Sequence, residues 1–311
     1  MALTLVEAAK EATEARDYKK AGIIELFAKT SDILDAMMFS EIPGNSLKYD
    51  QEAALPGIAF RGVNESYTAS TGIINPQTES LFIAGGDLDV DTFVVQTQGI
   101  DARSRQEIMK TKALAAAITD TIMNGDNVAN PREFDGLQNR VFGDQIVSNS
   151  AGSGGGVLSL RNLNTAIDRV GGATHLIMNR DMRNEFISAK SDTSVGGFIT
   201  QTENSWGRPV THYAGLPILV GYERNKNTAI LPFEEAYTGG GTANGTSIYV
   251  VNFSEDGVAG IQNGGGKVRD LGELQTEPKY RTRVEWFPGM AAYSGFAASR
   301  LRNIKAGAIV K

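Results

Sequence analysis

From Ser40 to about Thr78 the chain reads "SEIPGNSLKYDQEAALPGIAFRGVNESYTASTGIINPQT", rich in Gly, Pro, Asn, Ser and Thr with only short strand-like pieces. About forty residues without a core pattern is long for a connection inside a compact domain. Its aromatic and β-branched content disfavours plain disorder. The segment therefore reads as a long extended hairpin supported by something else. A chain that carries such an element is not a closed globule.

The stretch before it is helical in pattern. Thr4-Leu5-Val6-Glu7 has the capping-box form, in which a hydroxyl and a carboxylate satisfy free amides of the first turn. Apolar residues are then sparse until Ile23, Ile24, Leu26 and Phe27, and again at Ile33, Leu34, Met37 and Met38. A weakly amphipathic arm of this kind needs a partner surface, on this chain or on a neighbour.

Beyond the hairpin, Asp87, Asp89 and Asp91 alternate with Leu88 and Val90, a period of two that predicts a strand with one wet face. In "DARSRQEIMKTKALAAAITDTIMNG", Ile108, Ala115, Ile118 and Ile122 form one helical stripe, with Gly125 at the expected stop. Further on, Ser159 is placed to cap a helix with the face Leu160, Leu163, Ile167 and Val170, closed by Gly171. "THLIMN" reads as a buried strand, followed by a helix capped by Asn179 and carrying Met182 and Phe186. "RPVTHYAGLPILVG" and "SIYVVNF" read as strands. In "KYRTRVEWFPG", Tyr280, Thr282, Val284 and Trp286 share one side and Arg281, Arg283 and Glu285 the other, a half-buried strand. A second strand-like piece, "AAYSGFAASRLRNI", follows it, and no repeat of 20–50 residues is present.

Composition removes several function classes. The 311 residues, 41% of them hydrophobic, suffice for sizeable cores, and a length of this order predicts about two domains. A net charge of -6 argues against a dedicated nucleic-acid binder, which shows a basic face. With no cysteine, disulfides and thiolate metal sites are absent, as suits a reducing compartment. No apolar run reaches the roughly 20 residues that span a bilayer, and the first residues do not form a signal peptide.

Candidate chemistry fares poorly. In the polar loop "NGDNVANPREFDGLQNRV", counting from Asp126, the third and fifth positions are Val128 and Asn130, and Pro131 stands where a calcium loop needs glycine. From Asp87 the sixth and twelfth positions are Thr92 and Gln98, so the bidentate acid is missing there too. "GGGK" at Gly264–Lys267 lacks the leading glycine of a phosphate loop, and Val268 replaces its hydroxyl. In "GSGGGV" a dinucleotide fingerprint fails at Val157. These glycine clusters are expected to be exposed mobile loops. His175 and His212, the only histidines, lie in strand-like runs and cannot make a three-histidine zinc site. No serine occupies a G-x-S-x-G elbow. Lys48 is expected to be solvated rather than a cross-linking lysine, which must be desolvated beside an amide and a carboxylate. No metal, cofactor or catalytic residue is expected, and the chain reads as a non-enzyme.

Four stretches carry a resemblance: "IPGNSLKYDQEAALPGIAFRGVNESYTASTG", "NGDNVANPREFDGLQNRV", "HLIMNRDMRNEF" and "IQNGGGKVRDLGELQTEPKYRTRVEWFPGMA". In their order along nearly the whole chain they resemble a major capsid protein of tailed bacteriophages, of the Hong Kong 97 type. The resemblance implies an α+β fold of four parts. These are an N-terminal arm (1–38) lying across a neighbouring subunit and an extended loop (39–78) reaching over another. A peripheral domain (79–136 and 267–311) would hold a spine helix at about 102–123, and an axial domain (137–266) would surround five-fold and six-fold centres. The polar loop would then be the corner where the spine helix ends. No long helical prodomain precedes the arm, so a scaffold is expected to be a separate protein or already removed. The family's cross-linking lysine–asparagine pair has no matching motif to be carried onto.

The implied function is self-assembly into pentamers and hexamers of an icosahedral head that encloses double-stranded DNA. Such a virion protein would be assembled in the host bacterial cytoplasm, with separate scaffold, portal and decoration proteins as further partners and no membrane. Expected lateral contacts are Phe27, Ile33 and Met37 in the arm and Tyr49, Phe60 and Arg61 in the loop, with Arg61 and Glu65 setting register. Weak, base-independent DNA contact would fall to Lys10, Arg16, Lys19 and Lys20. Deleting residues 1–38 is expected to leave soluble subunits that cannot close a shell. Two alternatives are an encapsulin-like nanocompartment with protein cargo, and a sugar- or metal-dependent enzyme with a site among the aspartates.

Overall fold

The computed structural model describes residues 2–99, 101–192, 196–204, 207–223 and 228–310. Its N-terminal segment is a compact helical unit. Thr4 and Glu7 form the capping box for the helix Leu5–Glu14. Asp17 caps the helix Tyr18–Thr30 through Lys20 N, and Ser31 caps the short helix Asp32–Ala36 through Leu34 N. The chain then returns to its start, as Leu3 and Thr4 pair antiparallel with Phe39 and Met38. The strand Met38–Glu41 runs parallel to Val258–Gln262, which in turn pairs with Pro288–Ala292.

This closure overturns the expectation that the arm depends on a neighbour. Phe27, Ile33, Leu34 and Met37 are buried in the subunit's own core, with at most 1% of each exposed. The Trp286 ring lies between Phe27 and Phe39, at centroid distances of 5.0 and 5.3 Å, and its Nε1 donates to Gln262 Oε1 at 3.0 Å. Gly266 lets the Phe27 ring come this close, because a Cβ there would stand 2.5 Å from it. The "QNGGGK" cluster is thus partly interior: Gly265 and Gly266 are buried, contrary to the mobile-loop reading. Phe27, Ile33 and Met37 therefore offer no side-chain surface to a neighbour in this conformation. Trp286→Ala should cost the unassembled subunit about 4 kcal/mol in chemical denaturation, because it leaves a large cavity and an unpaired Gln262 amide.

The long helix spans Asp101–Asn124. Ala115, Ile118 and Ile122 are buried as the stripe requires, but Ile108 is 46% exposed, so the stripe meets the core only after its first turns. Thr119 Oγ1 donates to Ser31 Oγ at 2.9 Å, joining this helix to the arm. At its end Gly125 is required by proximity rather than by a left-handed turn, since a Cβ would stand 2.3 Å from the Phe134 carbonyl. Beside the helix lies a three-stranded antiparallel sheet in the order Lys267–Glu273, Lys279–Trp286, Ala84–Asp91.

An eight-stranded mixed sheet forms the second half of the molecule. Its centre holds Ala298–Val310, Gly245–Val251, His175–Met178 and Leu216–Val220, and Pro209–Tyr213 and Ile199–Glu203 continue one edge. The helix Leu160–Asp168 buries Leu160, Leu163 and Ala166, and Arg180–Ala189 buries Met182 and Phe186. Ser159 makes no side-chain cap bond, and the first of these helices stops short of Gly171; Asn179 does cap the second, through Asp181 N. The sheet also corrects the expected division of the chain. Ala298–Val310, assigned with 267–311 to the peripheral part, pairs instead with Gly245–Val251 and Ile146–Ser148. Val258–Gln262, assigned to the axial part, joins the arm's strand. Hydrogen-bond partners far apart in sequence fix both placements.

Candidate assembly surfaces

The polar loop after the long helix satisfies itself. Asp126 Oδ1 accepts from Val128 N and Ala129 N, and Asp135 Oδ1 accepts from Asn127 N at 2.9 Å. Asn127 Nδ2 donates to Glu133 O, and Asn130 Nδ2 to Glu133 Oε1. Gly136 N closes the loop on Gly125 O, which also accepts from Asn139 Nδ2. These carboxylates and amides are spent on backbone turns, as Asx residues commonly are. Among the described residues, no group of three or more His, Asp or Glu is placed to hold a metal ion.

The same corner fastens the root of the hairpin. Arg140, at the end of the short helix Leu137–Arg140, donates to both carboxylate oxygens of Glu79, at 2.5 and 2.8 Å. It also donates to Asp135 O and Met290 O. Burial works against its charge, but the Glu79 bonds outweigh that and hold the guanidinium pKa above its ordinary value. Tyr49 OH donates to Ala292 O at 3.1 Å, and its ring meets Tyr293 edge-on at 4.9 Å. Burial, and then the Glu79 carboxylate, push the Tyr49 phenol up. Tyr49, expected in a lateral contact, is thus half-buried against its own subunit. Arg140→Ala should cost about 3 kcal/mol of subunit stability by stranding Glu79, while Glu79→Gln combined with Arg140→Met should recover part of it. Chemical denaturation of the three variants checks this.

Beyond the root the hairpin leaves the body. Its strands, Ser46–Ala54 and Ile73–Ser80, pair only with each other, with a register shift between Glu52 and Ala54. Every residue from 55 to 72 is exposed. Phe60 is fully exposed, and Ile58 and Val63 are each 92% exposed. The tip is ordered locally: Gly62 N donates to Glu65 Oε2 at 2.8 Å, and Arg61 Nη1 to Glu65 O at 3.3 Å, with the Arg61 guanidinium over the Tyr67 ring. Within the subunit, then, Arg61 meets the Glu65 carbonyl rather than its carboxylate. Lys48 is exposed on the hairpin, not desolvated.

The triple-aspartate strand is also a structural device. Arg283 makes paired bonds to Asp87 at 2.7 and 3.0 Å, and Arg281 to Asp89, both at 2.7 Å. These bonds draw both carboxyl pKa values down. On the opposite face Arg103 of the long helix donates to Thr282 Oγ1 and Asp270, and Thr282 Oγ1 donates to Glu107 Oε1 at 2.9 Å. The helix and the sheet thereby form one joint. Sequence pattern predicts the wet face of this strand but gives no sign of the Arg103 or Arg140 bonds.

Residues 15–160, just under half of the chain, match the family model "Major capsid protein GP7". No curated protein matches the chain at the sequence level. Among solved structures, the capsid of an empty GTA particle superimposes with a TM-score of 0.60 at 13% identity, covering 89% of this chain and 90% of that one. A chain of Mycobacterium phage Adephagia gives 0.63 at 11% identity, with 89% and 90% covered. The holo-SrpI encapsulin complex of Synechococcus elongatus gives 0.63 at 15% identity, with 86% and 85% covered.

The fold is that of the Hong Kong 97-type capsid proteins.

With the family match, the Hong Kong 97 fold supports a structural major capsid role for this chain. The expected α+β class and the resemblance to tailed-phage major capsid proteins agree with it. The family match supports a structural rather than an enzymatic role.

Proposed function

We propose that copies of this protein assemble as pentamers and hexamers into a closed icosahedral phage head around double-stranded DNA. One observation carries this reading: an ordered hairpin holds Leu55, Ile58, Phe60 and Val63 out in solvent, away from its own subunit. Large clustered apolar side chains of that kind mark an interaction surface. A contact repeated between identical copies closes into rings when its rotation permits. Phe60, Arg61 and Glu65 remain the proposed lateral contacts. Exposed cations of the arm, Lys10, Arg16 and Lys19, with the partly covered Lys20, supply weak contact to DNA phosphates. No helix of the described residues is long and apolar enough to cross a membrane. Scaffold, portal and decoration proteins are proposed partners, and the host bacterial cytoplasm is the proposed place of assembly.

The encapsulin likeness favours a second reading, a nanocompartment with protein cargo. Electron microscopy of the purified recombinant protein tests the shared part: hollow shells or capsomer rings support assembly, and monomers at high concentration overturn it. Particles from the native source separate the two contents. Nuclease-protected DNA supports the phage head, and DNA-free shells holding an enzyme support the compartment.

A further inference from the structure

The chain's two histidines lie on one face of the eight-stranded sheet, under the arm. His212 stands opposite Pro217 on the neighbouring strand. His175 directly precedes Leu176, which pairs with Ile218. The two imidazoles therefore occupy one transverse row with Pro217 between them, their backbones roughly 10 Å apart at the usual strand spacing. Both line a cavity of about 520 Å³, together with Asp32, Asp35 and Ala36 of the arm's short helix. Arg183, Glu203 and Arg208 complete its charged lining. Arg208 Nη1 also donates to Lys29 O, at 3.1 Å, bridging the sheet to the end of the second arm helix. The cavity is the seam between the arm and the sheet.

We propose that this seam is an acid-sensitive joint, in which proton uptake by His175 loosens the arm's short helix Asp32–Ala36 from the strand Leu216–Val220. His175 is held at neutral pH by its surroundings: Nδ1 lies 2.9 Å from Thr174 Oγ1, and the ring leans on Phe253 at 5.4 Å. Burial first, and His212 second, lower its pKa from 6.5 to about 4. Asp32, Asp35 and Glu203 line the same cavity, yet burial and the second histidine prevail. A base whose pKa is lowered by packing stabilises the packed state above its free pKa of 6.5. That contribution is lost as pH falls from 6.5 towards 4. If opening frees His175 to its ordinary pKa, the open fraction rises about 25-fold between pH 7.5 and pH 5. The joint would let an acidic medium release the arm while the hairpin root and the Asp87–Arg283 ladder stay closed.

Hydrogen–deuterium exchange of the purified protein at pH 7.5 and pH 5, corrected for intrinsic rates, tests the proposal. Amides of 33–37 and 218–220 should lose about 25-fold protection at pH 5, and those of 280–286 less than 3-fold. In His175→Gln, or His175→Asn should the first variant not fold, the seam's pH dependence should fall below 3-fold. Equal loss in both regions of the wild type, no loss at the seam, or an unchanged loss in the variant would each overturn it.

Discussion

Removal of residues 1–38 should leave the protein insoluble or unfolded, not merely unable to assemble. The deleted segment supplies Phe27, Ile33, Leu34 and Met37 to the subunit's interior. Truncating one such side chain to alanine typically costs about 2–5 kcal/mol. Loss of four, about 8–20 kcal/mol in all, matches or outweighs the roughly 5–15 kcal/mol by which a domain of ordinary stability is held folded. The deletion also uncovers Trp286 on its Phe27 side and takes Leu3 from beside Phe39. Soluble yield and far-ultraviolet circular dichroism read the outcome. A soluble, folded monomer from this deletion would show that the rest of the chain needs no arm, as first expected from the sparse apolar pattern.

The opposite result is expected at the hairpin tip. The triple variant Ile58→Ser, Phe60→Ser, Val63→Ser should melt as the wild-type subunit does but form no closed particles. These side chains are exposed, so their replacement removes nothing from the folded monomer. Burying each against a second copy contributes about 2 kcal/mol. Loss of all three would weaken each contact by about 6 kcal/mol, roughly four orders of magnitude in affinity. A shell multiplies that loss over many contacts. Sedimentation and electron microscopy of the variant, beside its thermal melt, separate assembly from folding. Wild-type yields of closed shells would remove the tip from the proposed assembly interface.

The two outcomes differ because sequence pattern reports local environment and not its supplier. The Thr4–Glu7 capping box, the Asn179 cap, the long helix and the alternating strands were legible, since each depends on residues within a few positions of one another. The polar corner was legible for the same reason: its bonds lie within the loop and the helix after it. The arm's apolar residues read correctly as needing a surface. Which surface was not legible, because Phe27 meets Trp286, more than 250 positions later. The candidate contacts split along that line. Phe60 and its neighbours lie in a stretch with no covering element, while Phe27, Ile33 and Met37 are covered by distant parts of the same chain.

Residue order alone therefore settled the periods, the caps, the turns and the want of catalytic or metal-binding patterns. Folding in three dimensions decided that the arm closes on its own subunit, that Ala298–Val310 enters the eight-stranded sheet, and that Arg140 anchors the hairpin through Glu79. The reason is physical. A helix or strand period needs only neighbouring residues, whereas burial and ion pairing depend on which distant surfaces meet once the chain has condensed.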